Sequence, residues 1–530
     1  MDSEKSALLS CEQNAPGPSQ PQRLRNPIFD RLQTAGGRKT RCSSFSDLEI
    51  RGQKQIPHYG ATTPPLEPGP RSHYIRRDST NLINSLLYQQ QQGFDCSDAV
   101  VTERSTSTVV AGWNVSNLIQ GIGILGLPFA CVCAGWISIV VIILVAAICS
   151  FTSQLIGKCL YERVDKIDPS LGCQYLQEDD IPIIRTRATY ACIAADVWPR
   201  FGRKLVSCVV LLELFGATVM YMILLGTSIK PLLDYATGRS LTFAVYTAAI
   251  GYALLPFVLV PRMRIIAWFS VFAFIGLFLA IVLILVYTAM SASHSKISWS
   301  NLPPPNAQTV PVAIGIIVFS YCAHPVLPGI EGSMKRPESY NLMINVSFCM
   351  AAVAKIVVGL LPAMLFGADT KQVVVDNMTA NPRLALALNF VVALNVFFSM
   401  PLILYVIGEQ LDAALLPQMR QEWFDPRKGG KLYPAWLLFN RIVLLSMALL
   451  VAIGVPHFAL IMGLVGSITG SCLCFIMPAY FHLKLNYTQL SLWQKLVRLL
   501  VIIFGCITLV FGVIFSSIRL RQVLVYGESD

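Results

Sequence analysis

Charge is what this chain has least of. Asp, Glu, Lys and Arg make up 13% of its 530 residues, while hydrophobic side chains supply 54% and the mean hydropathy is +0.58. A soluble domain carries about twice that charged fraction, which excludes an ordinary water-facing globule. A P-loop is also missing, so nothing supports ATP drive. No repeated carbonyl filter or charged ring argues for a channel. Neither a nucleophile–base pair nor a metal-ligand set stands out, so no enzyme, cofactor or metal is expected. The net charge of +11 raises nucleic acid as a partner, but the basic residues sit in the tail and in loops between apolar runs, and no nucleic-acid partner is expected. Fifteen cysteines include the pair Cys472 and Cys474, whose spacing suits neither zinc nor a disulfide, and they read as small buried apolar side chains.

Residues 1–107 form the first region. They are rich in Gln, Ser, Pro, Arg and Gly, and they bury too little apolar area to offset ordering entropy, so a disordered cytosolic tail is expected. Its first hundred residues lack an apolar core of the signal-peptide kind, which leaves the first membrane helix as insertion signal. Glu4, Leu8 and Leu9 have the form of an acidic dileucine sorting signal for a coat adaptor. Chance occurrence is the alternative for so short a pattern.

From Thr108 the apolar runs recur, near 109–133, 136–157, 205–226, 241–260, 265–290, 310–332, 343–366, 384–408, 435–453, 456–481 and 496–516. Each is close to the ~20 residues that cross a bilayer core, giving an all-α polytopic membrane protein of about 11 transmembrane helices. The membrane region is 108–516, with a short C-terminal tail at 517–530. Alternate loops concentrate Arg and Lys, for example Arg185, Arg187, Arg200, Arg203, Lys204, Lys335 and Arg336. That asymmetry puts the N-terminus in the cytosol. The sequon at Asn377 then falls in a non-cytosolic loop as a glycosylation candidate.

Two spans are interrupted. The first contains Gly121-Ile122-Gly123-Ile124-Leu125-Gly126-Leu127-Pro128, and the sixth runs from Ser320 and Tyr321 through His324, Pro325 and Pro328 to Glu331. Gly costs about 1 and Pro about 3 kcal/mol in a helix interior, so both helices should break near mid-membrane. Corresponding breaks in two five-helix halves point to an inverted-repeat transporter with a midplane site. Half-helix N-termini suit a carboxylate and freed carbonyls an ammonium group, so the expected cargo is an amino acid. Asn117, Gly121, Ile122, Gly123, Ile124, Leu125, Gly126, Ser320, Tyr321 and His324 are the candidate substrate contacts. Packing is the bland alternative, above all for Asn117, Tyr321 and His324.

AGWNVSNLIQGIGILGLPFA, LLELF, IGIIVFSYCAHPVLPGIEGSMKRPESY, FGADTKQVVVDN and GVPHFALIMGLVGSITGSCLCFIMPAYFHL resemble, in order, the vesicular inhibitory amino acid transporter family within the amino acid/auxin permease group. The resemblance covers residues 108–515 and leaves out the tail. It implies an eleven-helix permease that loads GABA or glycine into acidified, synaptic-type vesicles by proton antiport. SYCAHPVLP also resembles vacuolar amino acid transporters, so a vacuolar or lysosomal neutral amino acid carrier is the runner-up. An amino-acid-sensing receptor on the same fold is a third reading. The expected partners are a small neutral amino acid, a proton, the lipid bilayer and, as an open alternative, chloride.

Ionisable groups inside spans are functional candidates by default. Glu213 is expected either to carry a proton or to make a structural hydrogen bond. Lys355 either pairs with Glu213 or Glu331, or occupies the place a coupling cation holds in sodium-driven relatives. His324 is a candidate sensor of the proton gradient, and Glu331 either joins the coupling or caps the half-helix after Pro328 and Gly329.

Overall fold

A computed structural model describes residues 104–163, 183–259, 263–292, 296–378, 381–415 and 432–526. The tail expectations, including Glu4, Leu8 and Leu9, lie outside the described residues. The architecture is nearly all helical. α1 (Thr108–Gln120), a 3-10 turn (Ile122–Gly126) and α2 (Leu127–Ala134) follow one another and lead into α3 (Ser138–Cys159). Next come the strands β1 (Tyr161–Arg163) and β2 (Ile183–Arg185), then α4 (Tyr190–Val197), α5 (Gly202–Thr237), α6 (Phe243–Ala253), α7 (Leu255–Val258) and α8 (Met263–Ser291). The second part holds α9 (Val310–Tyr321), α10 (Leu327–Ser333), α11 (Tyr340–Phe366), α12 (Pro382–Leu415) and α13 (Tyr433–Gly454). It closes with α14 (Phe458–Val465), a π-helical segment (Gly466–Ile476), α15 (Met477–Leu485) and α16 (Leu492–Tyr526).

Among the described residues, 9 helical stretches are long and apolar enough to cross a membrane, and Phe243–Val258 is a shorter apolar helix. One of the 9 is Ile122–Cys159, within which the chain turns at Gly135 (φ 63°). A Cβ at Gly135 would run into the Pro303 carbonyl oxygen, so both backbone and space require glycine there.

Three features differ from the sequence reading. β1 and β2 pair antiparallel, Tyr161 opposite Arg185 and Arg163 opposite Ile183, in a chain read as all-α. α4 is a further short helix, capped by Thr189, whose Oγ1 accepts from the Cys192 N–H at 3.2 Å. α16 runs past 516 to Tyr526, because its Leu, Arg, Gln and Val residues beyond the apolar run are adequate helix formers that need no lipid.

The core gathers around the interrupted helices. Ile119, Ile124, Leu125 and Leu127 of the first interrupted helix, Ile316, Ile317 and Tyr321 of the second, and Phe348 of α11 are all buried. The prolines help to build the breaks. Pro128 and Pro328 each fall in the first turn of the second half-helix, where a missing N–H costs little and the fixed φ favours helix initiation.

Candidate functional site

The two breaks meet. α1 ends at Gln120, and the chain reverses at Gly121 (φ −5°, ψ −166°) before the 3-10 turn. α9 ends at Tyr321, followed by extended Cys322 (φ −75°, ψ 100°) and a 3-10 turn over His324–Val326. A Cβ on Gly123 would stand 2.9 Å from Cβ and 3.0 Å from Cα of Ser320. Only a residue without a side chain lets the two interrupted backbones approach so closely.

Lys355 of α11 joins them. Its side chain is fully buried, and Nζ donates to the Ile119 carbonyl at 3.0 Å and to the Ser320 carbonyl at 2.9 Å. Those carbonyls belong to the last turns of α1 and α9, where helical C=O groups lack intrahelical acceptance and the dipole is negative. The ammonium also sits 4.6 Å from the centroid of the Tyr321 ring, a cation–π distance. The pairing with Glu213 or Glu331 considered from sequence does not occur. Among the described residues the salt bridges of Glu331 go to Arg104 and Arg185, and backbone carbonyls hold Lys355 instead.

Tyr321 stacks on Phe348, with centroids 6.0 Å apart and planes at 16°. Among the described residues its buried phenol oxygen has no hydrogen-bond partner. Ser320 Oγ donates to the Ile317 carbonyl at 2.7 Å, so its hydroxyl proton is committed to the helix. Ile122, Gly123, Ile124, Leu125 and Gly126 are buried and Gly121 half-buried. Asn117 is half-buried, with its backbone carbonyl accepting from the Gly121 N–H at 3.3 Å.

His324 is fully buried and contacts α3. Thr152 Oγ1 donates to the carbonyls of Ile148 (2.9 Å) and Cys149 (3.1 Å), and Ser153 Oγ donates to Cys149 O at 2.7 Å. Both hydroxyl protons are therefore spent on acceptors. His324 Nε2 lies 2.9 Å from Thr152 Oγ1 and 3.3 Å from Ser153 Oγ, and with both hydroxyl protons turned to the helix carbonyls the imidazole is the donor in these contacts. In that tautomer Nε2 carries the proton, and among the described residues Nδ1 has no hydrogen-bond partner. Glu213, half-buried on α5, turns its carboxyl to the Cys322 thiol. Sequence reasoning missed Cys322 because its link to Glu213 is purely tertiary.

Glu331 belongs to a separate cluster. It lies inside α10 rather than at its start, so it does not cap that half-helix. Its carboxylate pairs with Arg185 Nε at 2.9 Å and Arg104 at 3.7 Å, and accepts from the Tyr161 hydroxyl. Burial first, then the Glu331 charge, push the Tyr161 phenol well above its ordinary value, keeping it a donor. Arg185 also donates to the Pro328 carbonyl at 2.8 Å. Beside it, Thr106 is stitched to the end of α10: its N–H donates to Ser333 O and its carbonyl accepts from the Lys335 N–H, both at 2.9 Å. Arg104, Thr106, Arg185 and Glu331 thus join the segment before α1 to α10, an arrangement called the latch below. A cavity of about 490 Å³ adjoins it, lined by Tyr161, Glu162, Arg163, Arg187, Glu331 and Tyr340 among others.

Asn377 ends a 3-10 turn. Its Oδ1 accepts from the Lys371 N–H at 2.8 Å and its Nδ2 donates to the Asp369 carbonyl at 2.7 Å, so attaching a glycan requires the amide to leave this loop.

Residues 104–518 match the family model of the transmembrane amino acid transporter protein. A vesicular inhibitory amino acid transporter of Xenopus laevis is 30% identical over 465 residues, 86% of this chain and 85% of the relative. A vesicular GABA transporter of Caenorhabditis elegans is 30% identical over 486 residues, 90% and 93% respectively. A solved nucleobase-cation-symport-1 family transporter in a closed conformation aligns with a TM-score of 0.47 at 14% identity, over 82% of this chain and 96% of its own. By the match over its helical region and its relatedness across most of its length, the chain belongs to the family of transmembrane amino acid transporters.

Proposed function

We propose that the chain loads a small neutral amino acid, GABA or glycine, from the cytosol into an acidified vesicle in exchange for protons. The observation that carries the reading is the Lys355 ammonium, shared between the ends of both interrupted helices. A carrier must change the relation between its two half-bundles without losing the site, and Lys355 supplies a fixed cation where the interrupted backbones meet. The relatives named above are vesicular transporters of inhibitory amino acids or GABA, which supports that cargo.

In this mechanism the substrate carboxylate lies at the N–H groups that open the second half-helices, at their positive dipole ends. Its ammonium group faces the aromatic wall of Tyr321, whose phenol oxygen is free to accept. Lys355 takes the place of a coupling cation and holds the break carbonyls throughout. Glu213 takes up a lumenal proton and releases it to the cytosol as the bundles rock. Eleven spans in two inverted five-helix halves, with a cytosolic N-terminus, give the Arg-rich latch side to the cytosol. The latch then closes the cytosolic access route, with the 490 Å³ cavity as its vestibule.

The test is radiolabelled uptake into proteoliposomes with an acidic lumen, across a panel of neutral amino acids. GABA or glycine should accumulate, and dissipating the gradient should abolish accumulation. Glu213→Gln should bind substrate yet fail to concentrate it. Normal accumulation by Glu213→Gln would remove the proton assignment. Preference for larger neutral amino acids would favour the vacuolar-type reading, and saturable binding without accumulation in the unaltered protein would favour a receptor.

A further inference from the structure

Behind the second break, three side chains that are far apart in sequence converge. Cys149 comes from α3, His324 from the 3-10 turn after α9, and Cys474 from the π-helical segment. One ligand atom from each lies within 4.8 Å of both others, and all three residues are buried. We infer that Cys149, His324 and Cys474 form a binding site for a thiophilic divalent cation of the zinc type.

Four observations converge on that ligand. The tertiary arrangement is close to what tetrahedral metal coordination needs. With metal–sulfur bonds of about 2.3 Å and metal–nitrogen bonds of about 2.0 Å, neighbouring ligand atoms stand roughly 3.5–3.8 Å apart. A separation of up to 4.8 Å therefore closes with movements under about 1 Å. The imidazole has a nitrogen to spare. Its Nε2 contacts the hydroxyls of Thr152 and Ser153, and among the described residues its buried Nδ1 has no hydrogen-bond partner. Metal-bound histidines are set in the same way, the second nitrogen donating to fix tautomer and ring angle.

Charge selects the ion. Two thiolates and one neutral imidazole exactly cancel a divalent cation, so the filled site adds no net charge to the apolar interior. A monovalent soft cation would leave one negative charge there, and a hard cation such as magnesium would find no oxygen ligand among the three. Binding forms two metal–sulfur bonds and one metal–nitrogen bond and releases the two thiol protons. Finally, the segment that supplies Cys474 is an 11-residue π-helical stretch (Gly466–Ile476). Such wide turns cost helical stability and concentrate where a side chain must be placed off the regular register. A bound ion would fasten α3, the second break and the π segment together, holding the bundle in one conformation.

The experiment titrates Co(II) into the purified full-length protein in nanodiscs. The expected result is one Co(II) per chain with a sulfur-to-cobalt charge-transfer band and visible bands of tetrahedral intensity. Cys149→Ser and Cys474→Ser should each remove the charge-transfer intensity in part and the double substitution wholly. Cys208→Ser, at an exposed thiol, should leave it intact. Because a core substitution can disturb folding, a second measurement uses the unaltered protein. Cd(II) should slow alkylation of Cys149 and Cys474, read by peptide mass spectrometry, and leave Cys208 and Cys506 unaffected. Absence of a thiolate band, a band that survives the double substitution, or unprotected Cys149 and Cys474 would each overturn the site.

Discussion

Lys355 and Glu331 are both buried ions on neighbouring elements, and the fold houses them in opposite ways. Lys355 is surrounded by neutral acceptors: two backbone carbonyls and an aromatic face. Glu331 is surrounded by side chains: two arginines, one of them 36% exposed, and a tyrosine. Backbone partners cannot be withdrawn without unwinding a helix, whereas arginine side chains can leave by rotamer changes and be received by water. The first arrangement suits a part that stays assembled through a transport cycle, and the second suits one that opens once in each cycle.

The largest effect should come from Lys355→Met, which leaves two buried carbonyls without donors at about 1–3 kcal/mol each. A marked fall in melting temperature and a loss of uptake by roughly 100-fold are expected. If Lys355→Met stays stable and active, the comparison collapses, since Lys355 would then be as dispensable as a gate residue. Gly123→Ala should be next, because its methyl would meet the Ser320 backbone at 3.0 Å. Uptake should drop about tenfold or more, and Gly123→Ala combined with Ser320→Gly should recover part of it. A failure of that rescue would mean that the contact is not what holds the breaks together.

Glu331→Gln should cost less, about 1–3 kcal/mol, since partly exposed arginines recover hydration. Its signature is a faster alkylation of Cys159, a thiol that lines the latch cavity, with a smaller fall in melting temperature than Lys355→Met. The smallest effect is expected for Tyr161→Phe, about 1 kcal/mol. Because the fold raises the Tyr161 value, it favours the neutral phenol. That contribution is present below the ordinary value of 10.0 and is lost only as pH rises through the higher folded one. Cys159 alkylation in the unaltered protein should therefore show no step from Tyr161 ionisation between pH 7 and roughly 9, and a step there would break the latch assignment.

Whatever is local in this fold is legible in the sequence. Gly121, Gly123, Gly126 and Pro128 mark the first break, and Pro325, Pro328 and Gly329 the second, because glycine and proline act on their own turn of backbone. The candidate substrate residues accordingly fall on or beside real interruptions. What depends on distant partners was hidden. No pattern announces that Lys355 will find the carbonyls of Ile119 and Ser320, 236 and 35 residues away. None announces that His324 will meet Thr152 across 172 residues. Cys149 and Cys474 read as apolar filler because their spacing carries no ligand signature, and three-residue strands are too short to register as periodicity. Glu331 was legible as a buried charge beside the break, whereas its partners Arg104, Arg185 and Tyr161 are tertiary and were not.

The two hydrogen bonds that hold Thr106 between Ser333 and Lys335 have a mechanical consequence. A pull on the polypeptide from its N-terminal side meets the end of α10 before it meets α1. Thr106 and the second half of the second interrupted helix are thus loaded in series through two backbone hydrogen bonds near Glu331. A force applied at Thr106 would therefore be felt at the Glu331 cluster first, as work done on α10.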